Sequence, residues 1–177
     1  MKFASGLTAA VLGLTLVSAP AAVAAPMASA QASSQVQVLS VSRQELIDRA
    51  KTWHPHTDQR VPYSQSGTHG GYRTDCSGYV AMAAKLAAPG PNTVGLASST
   101  HTTAISVGEM KMGDLFIDST GDSNTRHVVI FEKWVDSAHS SYWAYEQRGS
   151  YGTDHRTLTY GLKGGEYKPR RLKVVTG

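Results

Sequence analysis

Polar and apolar positions in residues 40 to 53, SVSRQELIDRAKTW, repeat with a helical period, so that Leu46, Ile47, Ala50 and Trp53 share one face. Ser42 followed three residues later by Glu45 has the pattern of a capping box, and the spacing predicts a helix over about 43–53. A second apolar face, Tyr79, Val80, Met82, Ala83 and Leu86, predicts a helix that starts at Cys76 or Ser77 and stops at APGPN, residues 88–92. Between the two, HPHTDQRVPYSQSGTHGGYRT is rich in Pro, Gly and polar residues and reads as one long loop, a class of segment that is often functional. Beyond residue 92 the period changes. TVGLASSTHTTAISVGEMKMGD is irregular with a short helical turn, and Gly113 and Asp114 mark a turn into a strand, LFID. HVVIFEKWV, SYWAYEQ, HRTLTY and YKPRRLKVV are β-branched or aromatic and predict the remaining strands, about four more. Helices first, then consecutive strands joined by short turns, predict an α+β domain on an antiparallel sheet. No fixed-period repeat is visible, which excludes a solenoid or propeller.

Composition adds a compartment. Residues 1–30 have the layout of a secretory signal peptide: Lys2, an apolar run to Val17, then small residues, with cleavage after Ala24 or, preferred because Pro26 crowds the earlier position, Ala30. The apolar run is too short for the roughly 20 residues of a membrane span, so no span is expected. No cysteine lies near the cleavage region to carry a lipid anchor. Residues 31–41 read as a flexible lead-in and 42–177 as one domain, expected to be a secreted monomer, extracellular or wall-associated. The net charge of +4 falls to about +3 without Lys2 (4 − 1), a mild bias. Its densest cluster, KPRRLK at 168–173, reads as a solvated strand edge. Without nucleic-acid-reading motifs or interleaved aromatics, a nucleic-acid partner is set aside.

The chain has a single cysteine, so an exported protein carries a thiol that no intrachain disulfide can use. At the start of a helix, Cys76 meets the positive end of the helix dipole, which favours thiolate. We therefore expect a reactive, partly exposed thiol that needs a neighbouring imidazole. His54, His56, His69, His139 and His155 fall in expected loops and turns, and His101 lies in a polar run. His127 opens the strand HVVIF, from which an imidazole can be aimed at one point. No HExxH or closely spaced Cys/His set indicates a metal.

The ordered motifs DCSGYV, GDLFI and RHVVIF make the chain, over roughly residues 42 to 147, similar to the NlpC-type superfamily of papain-like cell-wall cysteine peptidases. The resemblance implies a papain-like fold with a Cys-bearing helix on an antiparallel sheet, Cys76 as nucleophile and His127 as its base, with no cofactor. It further implies that Tyr63, Asp75 and Ser77 bind substrate, Asp75 and Ser77 by holding a free amine. Asp75 is equally a helix N-cap. Ser64 and Gln65 depart from the apolar and aromatic pair usual in relatives, which touches substrate preference. A third polar group is expected on SYWAYEQ, where alternation puts Tyr142, Ala144 and Glu146 on one face and Trp143, Tyr145 and Gln147 on the other. CHAP-like amidases are similar in placing a glutamate after the histidine strand. Glu146 is the expected partner of His127, with Gln147 the runner-up. The function implied is hydrolysis of an amide in peptidoglycan stem peptides, of the D-glutamyl-diamino acid type. The alternatives are an amidase, acyltransferase or toxin on another amide, and a non-catalytic wall-binding module.

Overall fold

The computed structural model describes residues 40–177; the expected signal peptide and most of the lead-in lie outside the described residues. Strand β1, Val41–Ser42, leads directly into helix α1, Arg43–Lys51, because Ser42 turns from extended backbone and its hydroxyl accepts from the Glu45 N–H at 3.1 Å. The reciprocal half of the expected box is replaced: the Glu45 carboxylate pairs with Lys85. The helix is shorter than expected. It ends at Lys51, where Thr52 caps the last turn. Leu46, Ile47, Ala50 and Trp53 are all buried, as the period required.

The segment expected to be one long loop contains a small hairpin, β2 at Thr68–His69 and β3 at Tyr72–Arg73, closed through Gly70 and Gly71, both at positive φ. It delivers the chain to helix α2, Cys76–Ala83, every residue of which is buried. Asp75 caps α2, its Oδ1 accepting from the Gly78 N–H at 2.6 Å.

The irregular stretch then folds into helix α3, Thr93–Ala97, strand β4, Thr102–Ala104, and a 3-10 turn, Val107–Glu109. The strands that follow are β5 Leu115–Asp118, β6 His127–Trp134, β7 Tyr142–Arg148, β8 Gly152–Leu158, β9 Lys168–Leu172 and β10 Val175–Thr176. Five of them join β4 in one six-stranded antiparallel sheet, in the order β4-β9-β5-β6-β7-β8, and β1 pairs in parallel with β10. The architecture is the α+β one expected, with two corrections. β4 was not foreseen, since three residues give no period to read. KPRRLK is not a solvated edge: β9 lies between β4 and β5, and Arg171 reaches inward to Asp114.

Side chains alternate across the sheet and build a core on each face. Val128, Ile130, Leu115, Ile117 and Tyr145 face α1 and α2. Phe116, Val129, Phe131, Tyr142, Ala144 and Leu158 form the other core, covered by Ile105, Val107, Tyr160, Leu162 and Tyr167 from the connecting segments. Helix α2 packs on β6 and β7, which brings its N-terminus to the end of the sheet where β6 begins.

Candidate active site

Cys76 is the first residue of α2, and the approach of the chain to it is set by Gly78. A side chain on Gly78 would overlap the Arg73 carbonyl, so only glycine lets the hairpin fold back against the first helical turn. Tyr79 N–H donates to the Asp75 carbonyl at 3.1 Å, the first bond of the helix. The N–H groups of Cys76 and Ser77 precede it, at the positive end of the helix.

The thiol is more enclosed than expected, with Cys76 only 5% exposed. Its Sγ lies 3.8 Å from the hydroxyl of Thr93, which α3 presses against the start of α2. Access is through a cleft of about 200 Å³, lined also by Tyr63, Gln65, Arg73, Asp75, Ser77 and Arg126.

His127 stands at the head of β6, and its Nε2 is 2.7 Å from Oε2 of Glu146. Tyr145 pairs with Ile130 across the ladder, so Glu146 is diagonal to His127 and on the same face. Glu146 is 1% exposed; its second oxygen accepts from Arg156 Nε at 2.5 Å. Burial pushes the carboxyl upward, but His127 and Arg156 outweigh it and hold Glu146 below the usual carboxylate range. Burial likewise opposes a charge on His127, yet hydrogen bonding to Cys76 and to Glu146 carries its pKa up to about 9. With Nε2 committed to the carboxylate, Nδ1 is the nitrogen left to exchange a proton with the thiol. Tyr160 and Tyr167, stacked at 4.5 Å, stand edge-on to the imidazole at 6.4 and 6.5 Å.

The remaining sequence candidates divide. Tyr63 lines both the cleft beside Cys76 and a second, wider one beside His127 and Glu146. Burial first, then the proximity of Cys76, raise its phenol above the ordinary value, so it stays a hydrogen-bond donor. Asp75 and Ser77 are at the cleft but engaged: Asp75 Oδ1 accepts from Gly78 N and, at 2.8 Å, from the Ser77 hydroxyl, while Oδ2 accepts from Arg73 Nε at 2.8 Å. The N-cap reading of Asp75 therefore describes its contacts. Gln147 points to the opposite face from Glu146, fully buried, donating to the carbonyls of Val61 and Thr74 and accepting from the Thr153 hydroxyl at 2.7 Å.

His155 is not in a turn: it sits in β8, 3.0 Å from Glu132 and stacked on Tyr145 at 4.2 Å. Sequence reasoning missed Thr93, Arg126, Arg156, Tyr160 and Tyr167. Only α3 had a readable signal, the N-cap Asn92 after the Pro-Gly-Pro break. The others reach the site through turns and pairings that no local period encodes. Among the described residues, no group of three His, Cys, Asp or Glu side chains is arranged to hold a metal ion.

No protein-family model matches the chain, and no curated protein does. Among solved structures the chain is similar to a protein from Staphylococcus aureus subsp. aureus Mu50 described as similar to a lipoprotein of the NLP/P60 family. The identity is 22%, the TM-score 0.48, and the match covers 76% of this chain and 42% of the other, less than half its length.

Proposed function

We propose that the chain is a secreted bacterial cell-wall hydrolase that cleaves an amide bond in peptidoglycan stem peptides, of the D-glutamyl-diamino acid type, by a thiol mechanism. The observations that carry this reading are Cys76 at a helix N-terminus, the influence of its thiol on the pKa of His127, and a buried Glu146 on Nε2 of that ring. Thiolate and imidazolium form a pair, with Glu146 fixing the ring and stabilising its charge. The sulfur attacks the amide carbonyl carbon, forming a C–S bond, and the oxyanion is received by the N–H groups at the start of α2 and by the phenol of Tyr63. As the C–N bond breaks, His127 gives its proton to the leaving nitrogen. Water then adds to the thioester with His127 as base, the C–S bond breaks, and the acid product departs.

Three ordered motifs, DCSG, GDL and RHVVIF, support the wall substrate over other amides. Incubating the purified protein with defined muropeptides, with products read by mass spectrometry, should give a single new amine and a single new acid. Cys76→Ser and His127→Ala should each abolish this in a protein that still folds, because nucleophile and base act as one unit. Near-normal turnover in either folded variant would refute the assignment.

A further inference from the structure

The charges in the cleft beside Cys76 do not suit a substrate ammonium. Two arginines and one carboxylate line it, Arg73, Arg126 and Asp75. Arg73 and Asp75 cancel, at 2.8 Å, and Arg73 is held there by further bonds to the Ser77 hydroxyl at 3.1 Å and to the carbonyls of Gly90 and Pro91 at 2.7 and 2.9 Å. What is left is Arg126. The one hydrogen bond of its side chain among the described residues is a long one, Nη1 to the Gly121 carbonyl at 3.5 Å.

Arg126 is also well placed. It lines both the cleft beside the thiol and the one beside His127 and Glu146, so it stands where a scissile amide must lie. The turn that carries it is fixed. Asp122 Oδ1 accepts from Asn124 N at 2.8 Å and Thr125 N at 3.2 Å, and the Arg126 N–H donates to the Asp122 carbonyl at 3.1 Å. Gly121 has φ 73°, and a side chain there would collide with Thr125. From across the cleft Gln65, one of the two departures from the expected motif, donates to the Ser123 carbonyl at 3.0 Å and Asn124 Oδ1 at 3.2 Å.

We propose that Arg126 is a specificity-determining residue that binds a carboxylate adjacent to the scissile amide, and that the Arg73–Asp75 pair leaves the cleft unable to hold a free amino group. A guanidinium presents two parallel N–H groups to a carboxylate, a geometry a carboxamide cannot match. The substrate class is an amide whose acyl residue carries a free carboxylate and needs no free N-terminus. This deepens the proposed function and rests on it for the identity of the scissile bond.

The test measures binding to the full chain carrying Cys76→Ser, with turnover by the parent protein recorded in parallel. Three synthetic γ-D-glutamyl-L-lysine peptides serve as probes: N-acetylated with the glutamyl α-carboxylate free, N-acetylated with that group amidated, and carboxylate with a free amine. The free carboxylate should bind about tenfold tighter than the carboxamide, with the preference shrinking in salt. The free-amine peptide should bind no tighter than its acetylated counterpart. In an added Arg126→Gln background the carboxylate preference should collapse towards one, and Arg126→Lys should keep part of it. Equal affinity for carboxylate and carboxamide, no binding by either, a preference that survives Arg126→Gln, or a tenfold gain from the free amine would each overturn the assignment. Binding preference without turnover of any probe would keep Arg126 as the carboxylate site and remove the hydrolase reading instead.

Discussion

At the scale of single residues, His127 and its neighbours make the pH dependence a direct reading of the site. The ring is an imidazolium up to about pH 9, well above the ordinary histidine value of about 6.5, because Cys76 and Glu146 outweigh the opposing effect of burial. A raised folded pKa stabilises the protein fully below the unfolded value and ceases to do so as pH rises through the folded one, here between about 6.5 and about 9. Hydrolysis that needs the imidazolium to protonate the leaving amine should lose activity on an alkaline limb near pH 9. Glu146→Gln removes a group that raises the pKa, so the limb should move down towards neutrality while turnover drops strongly and substrate affinity changes little. Gln147→Ala, which loses bonds to the Val61 and Thr74 carbonyls on the other face, should lower the thermal melt and leave the limb in place. A limb that ignores Glu146→Gln and follows Gln147→Ala would reverse these roles. The sequence already separated the two residues, since strand alternation with Ala144 beside Glu146 put them on opposite faces. The pairing of Arg156 with Glu146 was not legible there, because it depends on how β8 is registered against β7.

At the scale of elements, the start of α2 was readable because its requirements are local: a capping Asp75, a thiol, and a glycine where the chain crosses itself. The consequence can be measured. Gly78→Ala places a methyl group into the Arg73 carbonyl, and backbone cannot yield as a flexible side chain would, so the cost should be roughly 1–3 kcal/mol or more in urea unfolding. Gly108→Ala is the control, since nothing lies within 4 Å of the added carbon and the change should stay within about 0.5 kcal/mol. Equal stability of the two variants would mean that the hairpin relaxes freely from the helix. The hairpin itself and β4 were not legible. Two- and three-residue strands are defined by partners distant in the chain, Thr102 opposite Leu172 for example, and carry no periodicity of their own. The enclosure of Cys76 was missed for the same reason: Thr93 reaches it from another helix.

At the scale of the molecule, Asp114 ties together parts that the sequence presents as unrelated. In the motif GDLF it looked like a turn residue, and it is one, with Oδ2 accepting from the Lys111 N–H at 2.8 Å. It is also completely buried and clamped by two arginines, Arg43 of α1 at 3.0 Å on Oδ1 and Arg171 of β9 at 2.7 Å on Oδ2. Arg43 continues to the carbonyls of Met112 and Gly177, each at 2.6 Å, and Arg171 to that of Glu109 at 2.7 Å. The first helix, the last strands and the turn into β5 thus meet on one carboxylate, which is why an arginine in KPRRLK faces inward. Removing the anion leaves two guanidinium groups facing each other beside the core, with little water to screen them, so Asp114→Asn should cost roughly 3–5 kcal/mol despite its near-equal volume. Arg43→Met should cost less, because Arg171 still pairs with Asp114. The double variant should cost less than the sum of the two, since both singles break the same network. Urea unfolding at low ionic strength checks all three without the masking effect of an ionic denaturant. An Asp114→Asn midpoint within about 0.5 kcal/mol of the parent would mean that the arginines relax into solvent and that the knot contributes nothing to holding the helical layer on the sheet.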